Sequence, residues 1–326
     1  MKRCVFLVLI CLISFPAFSE FRLQKQDLKE KLQRLEKLKK QNSNQDAGGL
    51  YDKSNLGKVD AVTSDYGNPP GLNWFGQFGG SASDASSDIV SDASGNVYIT
   101  GYFSDEIEIA GTHYYSQGEY DGVVIKMNNS GDVLWVKHFP AQEGKLFYIN
   151  AIAHVGDKLY ITGGYTGSPT IDEEVLGEFA ETNPFFSILS IDGTIEFVKG
   201  IDTQQLSSEG IKIDADAAGN VYWIADILSS DSSAIFKYSS SGNLLWDQAY
   251  NLSFSDLEVV SSNIYFLGMN EGYSETLTGG ISINYPYRSD VFMARSDLDG
   301  TFSWAKMLEH DYSQGYTSSP VFAVDN

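Results

Sequence analysis

A chain that repeats itself every fifty to sixty residues or so cannot bury the apolar face of one repeat alone, so the repeat governs the fold before any single motif is read. Here Gly95-Asn96-Val97-Tyr98-Ile99-Thr100-Gly101 returns as Gly156-Asp157-Lys158-Leu159-Tyr160-Ile161-Thr162-Gly163. It returns again as Gly219-Asn220-Val221-Tyr222-Trp223-Ile224 and as Ser262-Asn263-Ile264-Tyr265-Phe266-Leu267-Gly268. The aligned tyrosines are spaced 62, 62 and 43 residues apart. A second series reads Ser130-Gly131-Asp132-Val133-Leu134-Trp135, Asp192-Gly193-Thr194-Ile195-Glu196-Phe197, Ser241-Gly242-Asn243-Leu244-Leu245-Trp246 and Asp299-Gly300-Thr301-Phe302-Ser303-Trp304, its glycines spaced 62, 49 and 58 apart. Both series set turn formers ahead of a short β-branched and aromatic run, the pattern of a tight turn entering a strand.

Two further apolar runs per unit, such as Ile89-Val90 and Val123 to Met127, bring the count to four short strands. Four strands in such a unit predict a propeller blade, whose sheets are apolar on both faces because each is sandwiched between neighbours. We letter the strands A to D from the inside outward. Asn73 to Phe78 is then a lone D strand, four complete sets follow, and Val321 to Val324 is a lone A strand. The expected fold is an all-β propeller of about four complete four-stranded blades plus partial strands over residues 73–326, truncated at the C-terminus, with a ring that does not close.

The repeat resembles the SBBP (beta-propeller) repeat proteins of bacterial secreted chains. The matching residues are Trp74, Gly79-Gly80, Asp88, Asp92, Gly95 to Gly101, Asp121, Lys126, Gly131 and Trp135. The match weakens along the chain: Phe197 stands for the repeat Trp in the second unit and Ser262 for the turn Gly in the fourth. The resemblance implies a scaffold without common catalytic residues. The Gly-x-x-x-Trp turns are also similar to those of pyrroloquinoline-quinone dehydrogenases, a second propeller family, which stack adjacent cysteines on their cofactor.

Ahead of the repeat, a basic start, an apolar run from Cys4 to Phe15 and the small-x-small site Ala17-Phe18-Ser19 describe a cleavable secretory signal peptide, residues 1–19. Both cysteines lie inside it, which leaves the exported chain without disulfides, thiolate metal sites or a quinone-stacking pair. The expected location is secreted, periplasmic or at a bacterial cell surface, with no transmembrane segment. Residues 20–40 read as a charged amphipathic helix with Phe21, Leu28, Leu32 and Leu35 at coiled-coil spacing, able to dock or self-associate. Residues 41–72, rich in Asn, Ser, Gly and Asp, read as a flexible linker. The formal net charge is −21, which would repel phosphates, so nucleic acid is excluded as a partner.

Recognition on a repeat scaffold is expected in its variable loops. The B–C and D–A loops vary in length and carry Tyr114, Tyr115, Tyr120, Asp121, Tyr165, Tyr273, Tyr285 and Tyr287, a set suited to a glycan or a protein, or to covering the blade edges. The function expected is a secreted binding module acting through those loops. One alternative is an extracellular carbohydrate-active hydrolase or lyase, with Asp105, Glu106 and Glu108 facing Asp172, Glu173 and Glu174 across a cleft. Another is a structural spacer within a longer surface protein. No catalytic constellation, cofactor or metal site is assigned. Asp214-x-Asp216 and Asp297-x-Asp299-Gly300 have the alternating oxygens of a calcium loop but lack its bidentate Glu, and β-turns select the same residues. His113, His138, His154 and His310 show no paired metal-ligand spacing.

Overall fold

The computed structural model describes Trp74 and residues 76–203, 207–228, 232–270, 274–283 and 290–307. The expected signal peptide, helix and linker, and the lone A strand at 321–324, lie outside the described residues. Among those described there is no α-helix, and the strands form four four-stranded antiparallel sheets with three short hairpins.

Sheet 1 comprises β1 (Asp84–Ser91) and β2 (Val97–Phe103), then, after the hairpin β3 (Glu106–Ile109) and β4 (Thr112–Tyr115), β5 (Asp121–Met127) and β6 (Val133–Phe139). Sheet 2 follows the same plan: β7 (Phe147–Val155), β8 (Lys158–Gly167), the hairpin β9 (Thr170–Ile171) and β10 (Glu174–Val175), β11 (Phe179–Ser190) and β12 (Ile195–Gly200). Sheet 3 has no inserted hairpin and runs β13 (Ser208–Ala215), β14 (Val221–Ile227), β15 (Ser232–Tyr238) and β16 (Leu244–Tyr250). Sheet 4 is β17 (Ser253–Val260), β18 (Asn263–Asn270), the hairpin β19 (Glu275–Leu277) and β20 (Ile281–Ile283), β21 (Asp290–Asp297) and β22 (Phe302–Met307). Within each sheet the strands pair in chain order, A to D, as the repeat predicts.

Each sheet carries two register shifts at equivalent places, and sheet 2 has a third between Phe179 and Asn183. On strand A the equivalent shifts fall between Ser86 and Asp88, Ile149 and Ala151, Gly210 and Lys212, and Phe254 and Asp256. Bulges of this kind raise the local twist, which sheets stacked around an axis need. Opposite the first two stand Gly101 and Gly163, where a Cβ would collide with the backbone carbonyls of Ala85 and Tyr148. The second shift follows the C–D turn, where strand D skips Leu134, Glu196, Leu245 or Ser303. This puts Leu134 and Leu245 out in solvent without any functional demand for exposed leucine.

The sheets stack in series through three apolar clusters. Tyr98, Val124 and Phe139 of sheet 1 pack with Ile149, Ile161 and Phe185 of sheet 2. Ala151, Phe186 and Ile188 on the other face of sheet 2 pack with Ile213, Trp223 and Tyr238 of sheet 3. Tyr222, Ile224 and Ile235 then meet Phe254, Phe266 and Phe292 of sheet 4. The first strands also contact one another in order, β1 with β7, β7 with β13 and β13 with β17, so strands A form the inner edge of the stack. The result is a β-propeller-like fold. Among the described residues no sheet joins strands of the first repeat to strands of the fourth, in keeping with an open series. Trp74 and residues 76–78 lie in no strand, so the described part of the expected lone D strand is a correction. Only Gly79, at an isolated bridge to Glu108, pairs there.

Sheets that diverge from an inner edge leave wedges at their outer rim, and two of the three inserted hairpins occupy them. Ile171 and Leu176 join the core between sheets 1 and 2, and Lys137 of β6 reaches Asp172 at 2.6 Å. Leu277 and Ile283 join the core between sheets 3 and 4, while Tyr250 of β16 meets Thr278 at 3.2 Å.

Candidate functional site

Two ends of the stack differ in character. At one end lie the A–B and C–D turns, built on capping rather than recognition. Asp92 accepts from the amides of Ser94 and Asn96, the Asn96 side chain and the Tyr98 hydroxyl, and Asp216 repeats every one of these bonds with Ala218, Asn220 and Tyr222. Asp297 likewise accepts from the amides of Asp299 and Thr301, and Asp214 accepts at 2.7 Å from the amide of Val259 in the next sheet. These acidic residues thus serve turns and sheet contacts. Among the described residues no group of three or more His, Cys, Asp or Glu is arranged to hold a metal ion.

The opposite end gathers the B–C and D–A loops, and the expected site residues divide there. Asp121, at the start of β5, is wholly buried. Its oxygens accept from the amides of Gln117, Gly118 and Ala141 at 2.9, 3.2 and 3.0 Å and meet His138 Nε2 at 2.6 Å. Burial by itself would raise its pKa, but the hydrogen bonds from His138 and the three amides outweigh burial and hold the carboxyl below the usual range. With four donors satisfied and no solvent contact, Asp121 is a structural anchor, contrary to its expected place in an exposed recognition loop. Tyr165 is a second correction: it lies within β8, fully buried against Phe147 and Phe179, with its hydroxyl donating to Gly177 O at 3.2 Å. Tyr114 is half-buried, edge-on to His138 at 6.3 Å, and Tyr115 is 62% exposed at the end of its hairpin. Tyr273, Tyr285 and Tyr287 lie outside the described residues.

Tyr120 leads to a cluster that periodicity alone does not disclose. Its backbone bridges sheets 1 and 2, pairing with Leu146 and accepting from the Phe147 amide at 2.9 Å. Its ring stands edge-on to Tyr102 with centroids 5.1 Å apart, and Tyr102 stands edge-on to Tyr148 at 6.4 Å. Tyr102 ends β2 and Tyr148 begins β7, so the three rings sit where the inner strands open onto the loop face. Glu209, at the start of β13, adds a carboxylate from sheet 3. Burial, then the charge of Glu209 and a hydrogen bond to it, push the Tyr148 hydroxyl far above its ordinary pKa. Asn150, the bulged residue of β7, donates to Glu209 at 3.2 Å and to Gly210 O at 2.9 Å. All four of Tyr102, Tyr120, Tyr148 and Glu209 keep partial solvent exposure. Aromatic walls with a few convergent polar groups are the usual make-up of a binding cleft. Sequence reasoning found Tyr120 but missed Tyr102, Tyr148 and Glu209, because strand positions rather than loop positions supply them.

Of the carboxylates weighed for hydrolysis, Glu106 and Asp172 are paired with basic side chains. Glu106 pairs with His113 and Asp172 with Lys137, while Asp105 and Asp172 hold positive φ of 61° and 53° beside their hairpins. The two groups belong to two separate two-stranded ribbons.

No family model matches the chain, and no curated protein matches it. Among solved structures, BamB from Moraxella catarrhalis is similar at 13% sequence identity and a TM-score of 0.31, over 67% of this chain and 74% of that one.

Proposed function

We propose that this chain is a secreted interaction module of SBBP-like repeats that binds a glycan at the inner opening of its loop face. The observation that carries the reading is the convergence of Tyr102, Tyr120 and Tyr148 with Glu209 from three consecutive sheets. A pyranose presents a flat C–H face with hydroxyls at its rim. Partly exposed tyrosine rings supply the apolar wall, and Glu209 with the tyrosine hydroxyls supplies hydrogen-bond partners. Sites on strand ends hold such groups more rigidly than free loops do. The hairpin carboxylates support an enzymatic reading less well, since Glu106 and Asp172 are paired with His113 and Lys137 and the two groups lie on separate ribbons.

Screening the exported chain against a panel of oligosaccharides, followed by calorimetry on the best binder, tests the reading. Tyr120→Ala and Glu209→Gln should each weaken binding by about tenfold or more, with Tyr115→Ala as the exposed control that changes nothing. Capture of no glycan, or equal affinity in all three variants, overturns it. A peptide ligand lost in the same variants would keep the site but replace the ligand class.

A further inference from the structure

The tyrosine cluster at the inner opening holds a carboxylate that the described residues leave without a cation. Glu209 is partly exposed at the start of β13. It accepts from the Tyr148 hydroxyl and, at 3.2 Å, from the Asn150 side-chain amide, which uses two of about four acceptor positions on a carboxylate. Among the described residues no Lys, Arg or His forms an ion pair with it. Lys212, the next cation along the same strand, pairs instead with Asp256 at 3.4 Å. The carboxylate therefore keeps both its charge and room for further donors on its open side.

The aromatic surface beside it is fixed by its neighbours. Tyr148 lies across Gly164, where a Cβ would stand 2.5 Å from the tyrosine hydroxyl and 2.9 Å from Thr182 Cγ2. Thr182 of β11 also hydrogen-bonds to that hydroxyl, so the oxygen is held between Thr182 and Glu209. The ring planes of Tyr120 and Tyr102 meet at 77°, and those of Tyr102 and Tyr148 at 68°. Rings set this steeply form corners rather than one flat platform. A corner suits a compact cation, which is attracted to a ring face within about 6 Å of its centroid and can meet a carboxylate at the same time.

We infer that the sugar bound at this opening carries a free amine: an aminohexose whose ammonium meets Glu209 and the tyrosine rings while its C–H face lies along the rest of the wall, an inference that rests on the glycan reading above. A neutral hexose would offer the carboxylate only uncharged hydroxyls, and a charge-assisted hydrogen bond is about twice as strong as a neutral one. An acidic or sulfated sugar would set its charge against Glu209 in a molecule of net charge −21. N-acetylation removes the cation and adds bulk at the corner. A free amine answers the ring faces and the carboxylate together.

Calorimetry of the exported chain with three β-1,4-linked hexamers tests the inference, at mildly acidic pH where the amine is protonated. Hexamers of glucosamine, N-acetylglucosamine and glucose differ only at C2, where they present ammonium, acetamide and hydroxyl. The glucosamine hexamer should bind about tenfold or more tighter than either neutral hexamer. This comparison is made on the unmodified protein and needs no variant to fold. Glu209→Gln should abolish the preference, whereas Asp247→Asn, which neutralises an exposed carboxylate on the outer strand β16, should keep it. A preference that survives Glu209→Gln would trace it to the general pull of an acidic chain on a polycation and overturn the inference. Equal or tighter binding of a neutral hexamer overturns it as well, while leaving the glycan reading in place. If none of the three binds, the inference falls, and the oligosaccharide panel decides the glycan reading separately.

Discussion

Individual carboxylates in this chain carry opposite pH signatures, and their surroundings say why. Asp121 is buried with four hydrogen-bond donors, which hold its pKa below that of an unfolded aspartate. The stability it contributes is therefore present above the unfolded value of about 4 and lost as pH falls through the depressed folded value. Asp121→Asn keeps the shape but loses the charge and sets an amide against backbone donors. It should cost about 2–4 kcal/mol in urea unfolding near neutrality, and by less as the medium is acidified. Asp214 is the converse case. Burial pushes its pKa up to about 6, against which the Val259 and Ala215 amides act only in part. The folded state then binds the proton more tightly than the unfolded chain, so this residue's contribution to stability declines as pH rises from about 4 to 6. Asp214→Asn should flatten that segment of the stability profile. An unchanged difference between wild type and variant across those pH values would show that Asp214 titrates normally.

At the scale of the element, the cradle between sheets is a coupled unit: Lys126 and Trp135 of sheet 1 donate to Ile191 O of the sheet 2 turn at 2.8 and 3.2 Å, as Lys237 and Trp246 of sheet 3 do to Leu298 O of the sheet 4 turn at 2.7 and 3.4 Å. Where sheet 1 has Lys126 and Trp135, the register-equivalent positions of sheet 2 are Ile188 and Phe197, so both members change together. Lys126→Ile and Trp135→Phe, combined, should therefore cost less than the sum of the single changes, with a coupling of about 0.5–3 kcal/mol in a double-mutant cycle. Strict additivity would mean that the two side chains grip Ile191 independently. The repeat made the four strands, their order and both sets of turns legible, because glycine and aspartate at fixed offsets have few other uses. Less legible were the hairpins: Leu277 and Ile283 carry too little alternation to disclose that they plug a wedge between sheets. The candidate site was legible in part. Loop tyrosines draw attention in a sequence, yet Tyr165 is core and Asp121 an anchor, whereas Tyr102, Tyr148 and Glu209 read as ordinary strand residues until three sheets bring them together.

For the molecule as a whole, the claim on which site and cradle both depend is that the four sheets stack in series, each C–D turn set against the sheet before it. The opening proposed as a binding site requires that strands from three sheets converge, and the cradles of sheets 1 and 3 require that the turn of the following sheet reach them. Pairwise distance measurement by electron paramagnetic resonance tests this most directly, with spin labels at the turn tips Ser130, Asp192, Ser241 and Asp299 and with Cys4 and Cys11 replaced by serine. The account predicts narrow and closely similar distributions for the neighbouring pairs 130/192, 192/241 and 241/299, with longer separations for pairs that skip a sheet. A broad distribution for any neighbouring pair, or a skipped pair shorter than its neighbours, would contradict it.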